Sequence, residues 1–164
     1  MRALPRVGYG PDVKVAIAFD HRGVHLRDAV LGVLEGHSVV DLGTDTDAER
    51  IDYPVKAAEI GAAIQRGDAE RGVFVCGSGV GASVAASKLP GIRAAVCHDV
   101  YSAHQGVEHD DMNVLCLGSE VVGPALTIDL MRAFLHARFD GGEPYTTRLR
   151  KIEEIEEGQA NVNV

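Results

Sequence analysis

The chain has 164 residues, 46% of them hydrophobic and 24% charged, with a formal net charge of −8 at pH 7. That length suits one domain with a core of its own, and the acidic balance argues against nucleic acid or an anionic membrane as the main partner. Cys76, Cys97 and Cys116 form no Cys-x-x-Cys pair, so neither a disulfide framework nor a thiolate metal centre is indicated, and reduced thiols in a cytoplasmic protein are the simplest reading.

No apolar run approaches the roughly 18 residues that span a bilayer. Residues 1–12 read as a loose extension without the apolar core of an export signal. Residues 13–19 form an apolar run of strand length that ends at Asp20-His21-Arg22-Gly23. Leu26, Ala29, Val30, Val33 and Leu34 then recur at helical spacing, with Arg27, Asp28 and Glu35 on the other side. A second strand is predicted over 38–42, a polar loop over 43–53, and a helix opened by Pro54 that runs to about residue 66. The alternation continues with strands over 72–76, 92–97 and 113–118, followed by helices over 79–88, about 101–108 and about 124–138. A charged helix over about 147–157 closes the domain, and residues 158–164 read as a frayed tail.

Apolar strands alternating with amphipathic helices predict an α/β fold. The expected form is a three-layer Rossmann-like sandwich with a five-stranded parallel sheet and a C-terminal helix, in a single domain over 13–157. Such sheets bind ligands beyond the carboxyl ends of their strands. That rule singles out the loops at Asp20-His21, at 76–81 and at 98–111.

In Cys76-Gly77-Ser78-Gly79-Val80-Gly81 a strand passes straight into a helix through three glycines. Backbone N–H groups at a helix start favour negative charge. Cys76 is thus placed where a thiolate is favoured, and the same N–H groups can hold the developing oxyanion of an enediolate. The plain alternative is a small apolar residue ending a buried strand, followed by an ordinary glycine turn. The pattern is neither the dinucleotide fingerprint nor a P-loop, since it follows the third strand and no Gly-Lys-Ser/Thr comes after it.

Asp20 beside His21 offers a grip on sugar hydroxyls or a phosphate, or else a loop-capping acid beside a solvated imidazole. The stretch after the fourth strand carries His98, Asp99, His104, His109, Asp110 and Asp111. Spacings of 6 and 5 between its histidines leave no i, i+4 pair, so metal ligation is the weaker reading. His109 as a general acid/base is the other reading, because histidine titrates near neutral pH. His98 and His104 read as ordinary polar loop and helix residues, and Cys97 and Cys116 as buried, inert thiols.

Taken in order, Asp20-His21-Arg22-Gly23, Asp52-Tyr53-Pro54, Val75 to Gly81, Gly91 to Ala95 and His109 to Leu115 resemble the ribose-5-phosphate isomerase B family, which includes the galactose-6-phosphate isomerase subunits. The resemblance runs from about Lys14 to Glu156. It implies an aldose–ketose isomerase working through an enediolate, with no metal and no organic cofactor. It also implies a homodimer with active sites at the subunit interface, a tetramer being the next assembly. By position Cys76 matches the base that moves a proton between C1 and C2, and Ser78 the hydroxyl that assists it. Gly77, Gly79, Val80 and Gly81 fall in the loop that holds the enediolate oxygens. His109 matches the residue that opens the furanose ring, and Asp20, His21, Tyr53, Asp110 and Arg148 fall at substrate contacts. Some members carry Glu where this chain has Ala82, so the resemblance is to the cysteine type.

Several departures bear on the substrate. Gly118-Ser119-Glu120 stands where the family has Gly-x-Arg, and Glu143 follows Gly141-Gly142 where the family has another Arg. Each exchange replaces a bidentate phosphate donor with a repelling charge. Arg148 is kept, Arg22 stands where a small residue is common, and His109-Asp110 replaces the usual His-Asn. The expected reaction is ribose 5-phosphate to ribulose 5-phosphate or a close sugar phosphate. The alternatives are the same chemistry on another sugar, an unphosphorylated one included, and a sugar-binding protein without catalysis.

Overall fold

Five short apolar strands make one sheet: Lys14–Phe19 (β1), Ser38–Asp41 (β2), Arg71–Cys76 (β3), Ala94–Val96 (β4) and Val114–Gly118 (β5). They lie in the order β2-β1-β3-β5-β4, and every neighbouring pair is parallel. The computed structural model describes residues 12–158, so the expected extension and tail lie outside the described residues apart from Asp12 and Gly158.

The central strands β1, β3 and β5 are buried on both faces, which is why they read as unbroken apolar runs. Their side chains alternate between two cores. One face carries Val15, Ile17, Phe19, Val73, Val75, Leu115 and Leu117. Against it pack Arg27–Val33 (α1), which follows a 3-10 turn over Gly23–Leu26, Val100–Asp110 (α4) and Pro124–His136 (α5). The other face carries smaller residues, among them Ala16, Ala18, Cys76 and Cys116. There Tyr53–Gln65 (α2) and Val80–Ala86 (α3) present Ala57, Ala63, Ala82 and Ala86. Small residues on both sides let α3 settle close to the sheet beside Cys76. Phe74 is the one bulky strand residue on this face and is fully buried; its truncation to Ala costs about 3–5 kcal/mol. The last helix, Tyr145–Glu156 (α6), lies beside α4 and buries none of its residues.

The loop after β1 leads to α1 on one face, while the loop after its neighbour β3 leads to α3 on the other. A crevice opens between two strands whose connections leave in opposite directions. That crevice is where the site lies.

The expected elements are present, with shifted ends. The fourth strand shortens to Ala94–Val96 at the sheet edge, because Ile92 closes a turn onto the Leu89 carbonyl at 3.1 Å. Helix α4 is longer than expected. It begins where the Asp99 side chain accepts the Ser102 N–H at 2.7 Å and ends at Asp111, whose φ of 50° breaks it. Arg93 holds that break, its Nη2 lying 2.6 Å from Asp111 Oδ2. His109 therefore sits in the last turn of a helix rather than in a loop.

Candidate active site

A cleft of about 350 Å³ lies at the carboxyl ends of β1 and β3, lined by Asp20, His21, Arg22, Arg50, Tyr53, Cys76, Gly77, Ser78, Gly81 and Glu120. Cys76 ends β3 with only 4% of its surface exposed. Its sulfur accepts the backbone N–H of Gly79 at 3.1 Å. The thiolate is the form of a cysteine that acts as a base or nucleophile. The turn depends on glycine. Gly79 has φ of 80°, and a Cβ there would stand 3.0 Å from the Leu117 carbonyl carbon. Ser78 Oγ accepts the Val80 N–H at 3.2 Å, so the hydroxyl stays beside the start of α3.

The neighbouring loops brace this turn. Ser119, after β5, donates its N–H to the Cys76 carbonyl at 2.9 Å, and Glu120 donates its N–H to the Gly77 carbonyl at 3.0 Å. Asp20 is 5% exposed, and its Oδ1 accepts the N–H groups of Arg22 and Gly23 at 2.9 and 2.7 Å. The loop-capping role weighed from sequence is thus the one this oxygen plays, in a residue that also lines the cleft. His21 Nδ1 accepts the Ile51 N–H at 3.3 Å and ties the long polar loop down beside the cleft. Tyr53, which opens α2 rather than ending a loop, lays its ring against Gly81.

His109, Asp110 and Arg148 are elsewhere. Helix α4 runs antiparallel to the strands, so its last turn stands at the amino ends of β4 and β5, across the sheet from Cys76. There the His109 ring stacks on Tyr145, centroids 4.2 Å apart and planes 17° from parallel. Its Nδ1 lies 2.7 Å from Gln105 Nε2, and the Arg148 guanidinium is 5.9 Å from the centre of the Tyr145 ring. Asp110 faces a separate, larger groove of about 540 Å³ along the β4 edge, shared with Ile92, Met112, Ile152 and Ile155. One chain therefore brings together nine of the expected residues, Val80 included through its bond to Ser78, and holds three apart.

Cys97 and Cys116 are buried as expected. Burial pushes the Cys97 thiol up to about 11 and raises Cys116 well above the ordinary range, so both stay protonated. Among the described residues no group of three or more His, Cys, Asp or Glu side chains is placed to hold a metal ion. Nor is any helix among them long and apolar enough to cross a membrane.

The model of the family described as Ribose/Galactose Isomerase matches residues 15–152. The chain belongs to the ribose/galactose isomerase family. Ribose-5-phosphate isomerase B of Escherichia coli (strain K12) is 40% identical over 146 residues, covering 88% of this chain and 97% of that protein. D-erythrulose-4-phosphate isomerase of Pectobacterium atrosepticum is 36% identical over 132 residues, with 79% and 87% covered. Among solved structures, ribose-5-phosphate isomerase B of Clostridium thermocellum matches with a TM-score of 0.84 at 42% identity, over 90% of this chain and 99% of that one.

As a member of the ribose/galactose isomerase family the chain is an enzyme, a sugar isomerase, and its departures can be placed. Glu120 stands in the cleft facing Arg22. Glu143 stands at the start of α6, where the Thr146 hydroxyl donates to it at 2.8 Å and holds its carboxyl below the ordinary range. Reading the sequence missed His98. Its Nε2 accepts the Gly118 N–H at 3.0 Å and ties the end of β5 to the loop after β4, and burial depresses its protonation. The signal was available, because His98 follows β4 at the same end of the sheet as Asp20 and Cys76. Ser119 and Arg50 carried no comparable signal, being polar residues in loops.

Proposed function

We propose that this isomerase interconverts the aldose and ketose forms of a sugar phosphate through an enediolate, with ribose 5-phosphate and ribulose 5-phosphate as the first candidates. The observation that carries the reading is the Cys76 sulfur, held by the Gly79 N–H at 3.1 Å and facing the cleft. The Cys76 thiolate takes the proton from C2 of the open-chain aldose. The C–H electron pair becomes the C1–C2 double bond, and the C1 oxygen takes up the negative charge. A proton passes from the C2 oxygen to the C1 oxygen, and Cys76 returns its proton to C1 to give the ketose. The oxidation of C2 balances the reduction of C1, so no outside oxidant enters. Main-chain N–H groups of the 77–81 turn serve as the oxyanion donors, and Ser78 assists Cys76 from the same turn. Asp20, His21 and Tyr53 contact the sugar.

Ring opening is assigned to His109, with Asp110 and Arg148 beside the substrate. Since these three stand across the sheet from the Cys76 of their own chain, the reading requires a second copy that brings them over the cleft. The working unit is then a homodimer. Three unpaired thiols suit a reducing compartment, the cytoplasm.

The test is a panel of phosphorylated and free tetroses, pentoses and hexoses followed by ketose formation. Turnover of pentose or tetrose phosphates supports the reading, and turnover of free sugars alone overturns the phosphate part of it. A second reading, the same chemistry on an unphosphorylated sugar, is favoured by the Glu120 carboxylate at the mouth of the cleft.

A further inference from the structure

The main chain of Arg22 is held beside the cysteine turn by contacts independent of its charge. Its N–H donates to Asp20 Oδ1 at 2.9 Å, and its carbonyl accepts from Ser119 Oγ at 2.9 Å. The next residue, Gly23, is pressed against β3, where a Cβ would lie 1.8 Å from the Val75 carbonyl oxygen. The Asp20 N–H, donating to the same Val75 carbonyl at 3.1 Å, keeps the turn against the sheet. From that fixed point the Arg22 side chain crosses Gly77, where a Cβ would stand 2.8 Å from Arg22 Cδ and 3.2 Å from its Nη1.

Glu120 faces it from the loop after β5. Its two carboxylate oxygens are 3.4 and 3.5 Å from Arg22 Nη1, and the side chains are 52% and 62% exposed. A well-made charge-assisted bond measures about 2.7–2.9 Å, and exposed pairs of this kind contribute little. The Arg22 main chain is therefore fixed, while its guanidinium is weakly engaged. It points into the cleft with its fork of donors available to a stronger acceptor.

We infer that Arg22 is the anchor for the substrate's phosphate monoester, and that Glu120 is its resident counter-ion, displaced when the phosphate binds. The inference rests on the sugar-phosphate reading above and deepens it by naming a specificity-determining pair. A carboxylate and a phosphate both offer two oxygens to the same fork, so Glu120 holds Arg22 near the orientation the phosphate takes. The displaced carboxylate stays beside a dianion and weakens its binding. The pair therefore sets how strongly phosphorylated sugars are preferred over free ones.

The experiment measures the competitive inhibition constant of inorganic phosphate, together with KM and kcat on the best sugar phosphate, for wild type, Arg22→Met, Arg22→Lys, Glu120→Gln and Arg50→Met. Arg22→Met is expected to raise both the phosphate constant and KM about tenfold while kcat stays within about threefold, with Arg22→Lys in between. Glu120→Gln is expected to lower the phosphate constant about threefold, and by less when combined with Arg22→Met, where no ion pair is left to break. An unchanged phosphate constant in Arg22→Met overturns the inference, as does weaker phosphate binding in Glu120→Gln. A full loss of phosphate inhibition in Arg50→Met alone moves the anchor to Arg50 and also overturns it. A fall in kcat without a change in the phosphate constant makes Arg22 an enediolate donor instead. Should wild type turn over no sugar, the isomerase reading fails separately, and calorimetric titration of the same variants with inorganic phosphate still decides the anchor.

Discussion

The two ends of the sheet hold the side chains assigned to the proposed mechanism in different ways. At the carboxyl ends, Cys76, Asp20 and Ser119 are bound into a mesh of main-chain hydrogen bonds at the tips of buried strands. At the amino ends, His109 is held by a ring stack on Tyr145, a side-chain bond to Gln105 and a long contact with Glu108 at 3.8 Å, on two helices at the surface. The first arrangement suits a group that must meet a reacting carbon in one geometry. The second leaves its groups at the surface, as the proposed dimer requires.

Breaking the carboxyl end should have the largest effect. Cys76→Ala is expected to reduce turnover by about a thousandfold or more, with hydrogen exchange at C2 lost and sugar binding nearly intact. Deuterium wash-in followed by NMR checks this, and full exchange in the variant would sink the cysteine base. At the other end, His109→Asn is expected to lower turnover about a hundredfold on ring-closed substrate. Mixing the Cys76→Ala and His109→Asn proteins after subunit exchange should then restore about a quarter of wild-type activity, because half the dimers contain one intact site. No recovery, with exchange verified by mass spectrometry, would mean that the two ends do not share a site.

Smaller effects sharpen the contrast. Gly79→Ala forces a side chain into left-handed backbone against Leu117 and is expected to cost about 1–2 kcal/mol in denaturant unfolding. An equal exchange at Gly91, which is also left-handed but has open space around it, should cost less. The smallest effect concerns pH. Burial depresses the protonation of His98, and also of His136, below the ordinary histidine value of 6.5. Below that value the unfolded chain binds protons that the folded chain refuses, so stability is complete above it and declines as pH falls through the folded values. Thermal melts should show this decline, and His98→Gln should flatten it. An unchanged slope would leave His136 as its source.

Much of this was legible before any coordinates. Unbroken apolar runs marked β1, β3 and β5, and the rule that sites lie at strand ends picked out Asp20 and Cys76. The ends of elements were harder, because caps such as Asp99 and stops such as Asp111 act through single bonds that periodicity does not register. That is why His109 was expected in a loop. The Arg22–Glu120 pair joins residues 98 apart in sequence, and only the order of the strands brings their loops together. Each looked like an isolated departure from the family, one a gained charge and one a reversed charge.

The contact of Gly23 with the Val75 carbonyl has a consequence for how this sequence can change over evolutionary time. The backbone that carries Asp20 and the backbone that carries Cys76 touch with no room for a single added carbon, so they can drift only as a unit. On the inference above, variation in substrate range falls to the side chain at 22, which projects from that joint, and to its partner at 120 on the loop after β5. A library confined to those two positions samples new sugars while keeping the Asp20 and Cys76 main chains of the native turn.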